Sequence, residues 1–421
     1  HPEFSTPEVA DPLDAVIWDK AGERIAYEAT KILASLPDSY PVVLYKNNVD
    51  GKGASYGAHE NYLVKRSLDF TTLAQQLMPF FVTRTVYTGA GRVGIGTTSQ
   101  AAGFQISQRA DYIETDISLE TTLNRGLINT RDEPHADADM WRRLHVIVGD
   151  ANMSEVATYL KVGLTMLVII AIEAGVDFSD LVLADPVEAV KAVSRDLTLQ
   201  VPLPLLSGGE MTALDIQEQY RSRVYAFLYG KREPHVPAMS PHHSCFSKER
   251  TEDLCTWWKK VLKDLRSDPM ATSHYLDWTA KLALLTKLQE RYQCGWDDAR
   301  LTALDFSYSD LRPSGIYNKL VAAGRMRLMV DEAAVRTAVT HAPTTTRAWL
   351  RGTLVEKFGS AIVAASWDSI SVAGPNDGVY TLRIGDPLSL GEANCAPIVD
   401  NEDNPETILR RVSSELLEGE R

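Results

Sequence analysis

An uncharged apolar run in the middle of the chain limits what this sequence can fold into more than any other feature. It extends from Val162 to Ile172 and is shorter than the roughly 20 residues that a membrane-spanning helix needs. Ser154 ahead of it is a favourable N-cap, and Gly175 behind it is a favourable helix end. We therefore predict a helix buried in the core of a globular protein, and no membrane partner.

The composition is that of a folded acidic protein. Of the 421 residues, 44% are hydrophobic and 24% are charged, which argues against long disordered or coiled-coil regions. The net charge of −13 disfavours nonspecific binding to nucleic acids or anionic lipid. The four cysteines lack the short spacings of a disulfide framework, so we predict reduced thiols and a cytoplasmic location.

Local periodicity predicts an α+β fold. Apolar spacings of three and four indicate helices over residues 11–36, 154–175, 210–229, 249–265, 274–292, 331–339, 345–358 and 406–417. Short apolar runs near turn residues indicate strands over residues 40–46, 62–64, 80–88, 104–108, 361–370 and 379–384. A chain of this length exceeds one core, and the mixed pattern from about residue 340 predicts a small second domain.

A glycine-rich segment matches a cofactor motif by its letters only. Gly89 to Gly94 fit the dinucleotide pattern G-x-G-x-x-G after a strand-like run. That pattern needs a helix directly afterwards, whose N-terminus holds a pyrophosphate, and residues 95–99 are not a helix start. We interpret the segment as a hairpin loop.

Two polar clusters contain residue types that bind metals. His135, Asp137 and Asp139 alternate ahead of Met140 and suit either a metal site or a turn that orients the next segment. Residues 242–245, His-His-Ser-Cys, lack the second half of a zinc site, so we interpret them as a solvated loop.

Carboxylates and one histidine suit a site for magnesium and phosphate. His59 shares a strand face with Asn61 and suits contact with a metal or a phosphate, or a structural role. Glu3 and Glu8 are hard oxygen ligands of the kind that magnesium uses together with phosphates, or else solvated surface acids.

Two arginines suit the binding of an anion. Arg109 and Arg131 are each able to clamp an anion through bidentate hydrogen bonds. The alternative is that they pair with nearby acids such as Asp111 and Glu114.

Five longer segments together resemble one family. They are residues 1–8 (HPEFSTPE), 55–63 (SYGAHENYL), 105–112 (QISQRADY), 128–139 (INTRDEPHADAD) and 142–152 (RRLHVIVGDAN). On these segments the chain resembles, over essentially its whole length, the Pup ligase/depupylase family. Its members are relatives of glutamine synthetase that act on the prokaryotic ubiquitin-like protein, Pup. Within it, residues 113–122, 358–359 and 364–368 look more like the depupylase branch.

The resemblance implies a glutamine synthetase-like fold and an isopeptidase activity. A large domain, residues 1–339, would carry a curved, mainly antiparallel sheet backed by helices, and a small domain, 340–421, would close on the nucleotide. The implied reaction is hydrolysis of the isopeptide bond between Pup and a substrate lysine, with deamidation of a C-terminal glutamine of Pup. The implied partners are Pup and pupylated proteins, and the implied cofactors are ATP and Mg, with ATP bound rather than consumed.

The resemblance also implies roles for single residues. Glu3 matches the magnesium-binding glutamate of a His-Pro-Glu motif, Thr6 matches a nucleotide contact, and Trp367 matches a tryptophan at the nucleotide. The active-site positions that hold metal-bound phosphate or the scissile carbonyl correspond to His59, Arg109 and Arg131. Residues that shape the Pup groove correspond to Tyr112, His135 and Asp137.

The family pattern includes residues that would precede His1. They are a first strand with a further magnesium glutamate, and an aspartate that attacks or activates water. We therefore expect the chain to be part of a longer protein or a degenerate member, and to be inactive alone. The alternatives are a Pup–protein ligase, a noncatalytic Pup-binding module, and a metallohydrolase built on His135, Asp137 and Asp139.

Overall fold

The structure is a computed structural model that describes residues 1–120, 123–230, 246–374 and 378–419. The segment 242–245 lies outside these ranges. The described helices, in chain order, are α1 Pro12–Ser35, α2 Phe70–Thr83, α3 Thr85–Thr88, α4 Glu155–Glu173, α5 Pro186–Arg195, α6 Ala213–Tyr229, α7 Lys248–Ser267, α8 Asp277–Tyr292, α9 Ala299–Tyr308, α10 Ile316–Ala322, α11 Glu332–Ala338, α12 Ala348–Phe358, α13 Glu392–Val399 and α14 Pro405–Gly419.

The strands form one mixed sheet and three smaller antiparallel ones. In chain order they are β1 Glu60–Lys65, β2 Arg92–Ile95, β3 Ala101–Gln105, β4 Thr115–Ser118, β5 Gly126–Asn129, β6 Trp141–Val146, β7 Leu203–Pro204, β8 Glu210–Met211, β9 Ile362–Ala365, β10 Ser369–Ala373 and β11 Val379–Arg383. The largest sheet has the order β1-β6-β5-β4, and the next has the order β11-β10-β9. Among the strands in the described ranges, only the β4–β5 pair is parallel. The predicted α+β class is confirmed.

Helix α4 lies in the middle of the main hydrophobic core. The hydroxyl of Ser154 accepts the backbone N–H of Ala157 at 3.1 Å and caps the helix as predicted. Around it pack α1, α2, α6, α7 and β1. Among the described residues it alone is long and apolar enough to cross a membrane, and 89% of its most apolar window is buried inside the protein. The predicted buried helix is confirmed.

A second hydrophobic core forms from residue 350 onward. Its buried side chains come from α12, the β9–β11 sheet and the last two helices, and include Leu350, Leu354, Ile370, Val372, Leu382, Ile398, Leu409 and Val412. This core is separate from the one around α4.

Each of the eight predicted helices is present, but two predicted strands are wrong. Residues 80–88 are the end of α2 and all of α3, and every side chain in the run is buried. A run buried on all sides shows no periodicity that distinguishes a helix from a strand. In residues 40–46, only Tyr45 forms a bridge, with Asp310, and residues 361–370 contain two strands instead of one.

The glycine-rich segment is a hairpin, as predicted. β2 and β3 pair antiparallel with a register shift between Val93 and Ile95. Gly94 and Gly96 have φ of +93° and +86°, which is backbone that glycine adopts without strain. No helix follows at 95–99, so the segment does not form a dinucleotide site.

Candidate active site

The candidate site lies where a loop enters β1. Along this strand the side chains of Glu60 and Tyr62 are buried in the core, so that of Asn61 lies on the opposite face. The predicted extended run is confirmed, and His59 immediately precedes it.

A buried ion pair fixes the start of the strand. Arg84 donates to both oxygens of Glu60, with Nη2–Oε1 at 2.6 Å and Nη1–Oε2 at 2.9 Å. The hydroxyl of Tyr62 donates to Oε2 at 2.5 Å. Gly149 passes so close that a Cβ there would lie 2.4 Å from Oε1. A buried network with its groups paired is rigid, so β1 presents His59 from a fixed position.

The ring of His59 lies against the backbone of Gly57. A Cβ built on Gly57 would lie 2.2 Å from Nε2 and 2.6 Å from Cδ2 of the ring. Heavy atoms do not approach so closely, so a residue with a side chain at position 57 excludes this ring position.

Three charged residues predicted from the sequence, and Glu60 beside them, act on His59. Burial, together with the positive charges of Arg109 and Arg131, lowers the pKa of His59 to about 4, against the opposing charges of Glu3 and Glu60. The ring remains accessible to solvent. The charges of Glu3, Arg109 and Arg131 therefore all act on His59, and its imidazole is neutral at pH 7.

Arg109 is a buried cation with unused donors. The residue is 1% exposed, and its Nε and Nη1 find no hydrogen-bond partner in the part of the chain that the structure describes. Burial lowers its pKa to about 10, although the charge of Asp150 opposes the shift. A buried guanidinium with free donors is costly and suits an anionic or carbonyl ligand.

The loop that carries Arg109 is held by hydrogen bonds. Asp150 accepts the Ser107 hydroxyl at 2.9 Å and the Gln108 backbone N–H at 2.9 Å. The Ser107 hydroxyl in turn accepts the backbone N–H of Arg109 at 3.0 Å. The backbone of Arg109 is thereby fixed beside the site.

His145 is a site residue that the sequence analysis did not select. It lies on β6 opposite Asn61 and also pairs with Asn129, and its ring centroid is 5.0 Å from that of His59. Burial, with the charges of His59 and Arg143, lowers its pKa to about 3, and its buried Nδ1 has no partner within the described ranges. Its alternation with core residues in a strand was the available signal.

Arg131 follows β5, and its side chain is exposed. Its backbone N–H donates to Asn129 Oδ1 at 2.8 Å, and its charge acts on both His59 and His145. Asp111 pairs with Arg195 at 2.6 Å. The carboxylate of Asp111 is thus engaged by Arg195, and the negative charge that acts on Arg109 is that of Asp150.

The N-terminal segment crosses the site before α1 begins. The ring of His1 packs on Tyr56 at 4.5 Å, and Glu3 and Thr6 are exposed. Glu8 differs from them: its carboxylate pairs with Arg347 at 2.7 Å and with Arg351 at 2.6 Å. Burial is outweighed by these arginines, so the pKa of Glu8 lies below its usual value. Its carboxylate is engaged and is not a free magnesium ligand.

Trp367 lies in the loop between β9 and β10 and is 38% exposed. Its ring centroid is 6.4 Å from that of His135, and Arg351 donates to its backbone carbonyl. An exposed indole face of this kind is available for stacking.

The polar cluster ahead of Met140 forms a turn. Asp137 Oδ1 accepts the backbone N–H of Asp139 at 2.9 Å, and the Asp137 backbone donates to Gly385 at 2.8 Å. Over the described ranges, no three His, Cys, Asp or Glu side chains are grouped to hold a metal ion. The predicted turn is confirmed, and the metallohydrolase alternative has no site there.

The residues present fit one magnesium ion bound with a nucleotide. Magnesium commonly takes one or two protein carboxylates and completes its shell with phosphate oxygens and water. Glu3 supplies one exposed carboxylate beside His59, and the free donors of Arg109 suit phosphate oxygens. The chain thus offers an anion site next to a hard oxygen ligand.

Comparison with known proteins assigns the family. The family model described as "Pup-ligase protein" matches residues 1–371. A Pup deamidase/depupylase of Mycolicibacterium smegmatis is 48% identical over 98% of this chain and 80% of its own length. A Pup–protein ligase of Pseudarthrobacter chlorophenolicus is 41% identical over 85% of this chain and 77% of its own length.

Solved structures agree with the family and the predicted fold. The Pup ligase PafA in complex with ADP has a TM-score of 0.81 and 33% identity, covering 99% of this chain and 86% of PafA. A complex of Pup with PafA gives the same TM-score at 35% identity, covering 94% and 79%. The predicted glutamine synthetase-like fold is confirmed. The chain belongs to the Pup-ligase family, and within it shares more of its sequence with the deamidase/depupylase than with the ligase.

Proposed function

We propose that this protein hydrolyses the isopeptide bond between Pup and a substrate lysine, and deamidates a C-terminal glutamine of Pup, in a reaction that requires ATP and magnesium. Both reactions cleave an amide at the last side chain of Pup, so one site serves both. The identity of 48% to a Pup deamidase/depupylase, against 41% to a ligase, supports hydrolysis over ligation. We assign the protein to the cytoplasm.

The observation that carries the proposal is the buried Arg109 with unused donors. A carbonyl under attack develops negative charge on its oxygen, and preorganised donors in a water-poor site stabilise that charge most. Arg109 holds such donors at a fixed position, and Arg131 adds a second positive charge nearby. We assign both arginines to binding the scissile carbonyl or the nucleotide phosphate.

His59 acts as a neutral imidazole. With a pKa of about 4, its ring lacks at pH 7 the second proton that an imidazolium would donate as a general acid, and it is a weak base. A neutral ring still offers one hydrogen-bond donor and one lone pair. We assign His59 to orienting the amide or a bound phosphate, and His145 to supporting that orientation.

The nucleotide lies between the two hydrophobic cores. We assign the large domain to residues 1–339 and the small domain to residues 340–421, with Glu3 and Thr6 on one side of the nucleotide and Trp367 on the other. Trp367 is suited to stack on the base. Magnesium, when bound through Glu3, neutralises charge on the phosphate oxygens. The ADP complex of the structurally similar ligase supports the binding of a nucleotide by this family.

The test is the activity of an Arg109→Gln variant of the complete enzyme. Arg195→Gln is the matched control, because Arg195 lies nearby but is satisfied by Asp111 at 2.6 Å. Removing one oxyanion donor typically costs roughly 100- to 1000-fold in kcat, and we expect that loss for Arg109→Gln in ammonia release from Pup ending in glutamine. The control should keep near-normal activity.

Two outcomes contradict the proposal. Near-normal ammonia release by Arg109→Gln removes this residue from the site. Conjugate formed from Pup ending in glutamate, ATP and a lysine acceptor, with no ammonia from the glutamine form, assigns the protein to ligation instead.

A further inference from the structure

The carboxylate of Glu8 joins the N-terminal segment to helix α12. Its Oε1 accepts Arg347 Nε at 2.7 Å and Arg351 Nη1 at 2.9 Å, and its Oε2 accepts Arg351 Nη2 at 2.6 Å. The hydroxyl of Thr346 also donates to the backbone carbonyl of Glu8 at 2.9 Å. Four hydrogen bonds from three residues at the start of this helix therefore fix the backbone at Glu8.

The same arginines extend the link into the second core. Arg347 Nη1 donates to the carbonyl of Ile384 at 2.7 Å, just after β11. Arg351 donates to the backbone carbonyl of Trp367. A continuous path of charge-assisted hydrogen bonds thus runs from Glu8 through Arg351 to Trp367.

The position of Glu8 in the sequence gives this path a consequence. Thr6 lies two residues before it and Glu3 five residues before it, and α1 begins at Pro12. The ring of Phe4 contacts Gly22 of α1, where a Cβ would lie 2.4 Å from it, and Glu8 is the point that ties the backbone of Glu3 and Thr6 to the second core.

Stability alone does not account for the arrangement. Arg347 is buried, and burial lowers its pKa despite the charge of Glu8. Removing charged groups from water is costly, so buried ion pairs are often replaceable by apolar groups without loss of stability. Bidentate pairing does fix the relative position and orientation of the two groups that it joins. A site assembled from two parts of the chain requires such a fixed arrangement.

We propose that Glu8 is a positioning residue that sets Glu3 and Thr6 relative to Trp367 and so assembles the nucleotide site. The inference rests on the proposed nucleotide-dependent function. Arg347 and Arg351 take up both carboxylate oxygens of Glu8, and Glu8 acts through them.

The test is the affinity for ADP, measured by calorimetry with the protein and its Glu8→Gln variant. Glutamine keeps the shape of the side chain and removes its charge. Arg250→Gln is the matched control: Arg250 pairs with Asp11 of the same segment at 2.9 Å, but from α7 in the main core. Coupling between sites commonly amounts to factors of 5 to 150, and we expect Glu8→Gln to weaken ADP binding by roughly tenfold.

A double-mutant cycle separates positioning from a general loss of stability. If Glu8 acts through Trp367, Glu8→Gln should weaken ADP binding much less in a Trp367→Ala background, because the two effects are not additive. Arg351→Gln should reproduce the Glu8→Gln effect, and serves if Glu8→Gln folds poorly. The unfolding temperature of each variant is measured as well. At equal stability, Glu8→Gln should lose more ADP affinity than Arg250→Gln does.

Each remaining outcome overturns the inference. Unchanged ADP affinity in both Glu8→Gln and Arg351→Gln, an equal loss in Arg250→Gln, or additive effects with Trp367→Ala would assign the ion pairs a structural role only. No ADP binding by the unmodified protein would instead overturn the proposed nucleotide-dependent function, and with it this inference.

Discussion

Gly57→Ala should inactivate the enzyme without unfolding it. Gly57 is exposed and has no unusual φ, so alanine suits its backbone. The three atoms nearest to a Cβ at this position all belong to the ring of His59, which occupies the space that the Cβ would take. Because the obstacle is the end of a side chain, the ring is able to move away at little cost to the fold.

The size of the displacement follows from the distances. A Cβ on Gly57 would lie 2.2 Å from His59 Nε2, whereas ordinary contact begins at 3.4 Å. The ring must therefore move by about 1 Å, and a misplacement of that size in an active site is able to cost roughly 100-fold in rate. The free energy of unfolding should change by no more than about 0.5 kcal/mol, as for an ordinary surface substitution.

The measurements are kcat for cleavage of a pupylated protein and the midpoint of urea unfolding. Gly359→Ala is the control, since Gly359 is also exposed and a Cβ there meets nothing within 4 Å. Wild-type kcat in Gly57→Ala would refute the assignment of His59 to the site. An equal loss in Gly359→Ala would show that the effect is not specific to the ring.

Two further predictions concern stability. Glu60→Ala leaves the charge of Arg84 buried without its carboxylate partner, which should destabilise the protein by about 3–5 kcal/mol. Calorimetric unfolding would show this as a lowered Tm. A change below about 1 kcal/mol would contradict the anchoring role of the ion pair. The lowered pKa of His145, about 3 against 6.5 when unfolded, means that only the unfolded chain takes up this proton between these values. Stability should therefore fall as the pH decreases from about 6.5 toward 3, and His145→Gln should reduce that slope in urea titrations at stepped pH; an unchanged slope would exclude His145 as its source.

Local patterns predicted the elements whose determinants are themselves local. Helix α1 begins at the Asp11 cap, whose side chain accepts the backbone N–H of Leu13 at 2.7 Å, and α4 begins at the Ser154 cap. Both signals lie within a few residues of the feature they predict. The strand prediction for residues 80–88 was wrong because complete burial removes the periodicity of apolar residues. The neighbours that bury these residues are distant in sequence.

The site shows the same division. Motif resemblance selected Glu3, His59, Arg109 and Arg131, and in the structure the charges of the other three act on the imidazole of His59. No local pattern distinguished Glu8 from Glu3, although Glu8 is engaged by Arg347, just before α12, and by Arg351 within it, whereas Glu3 is exposed. His145 was missed because its relevance comes from its cross-strand position beside Asn61.

The sequence by itself determined the family, the helices with strong caps and periodicity, and the residue types of the site. The tertiary structure alone decided which of those residues meet, which donors remain unpaired, and which acid is free. The reason is that propensity and capping act over a few residues, whereas burial, pairing and pKa depend on side chains that are brought together from distant parts of the chain.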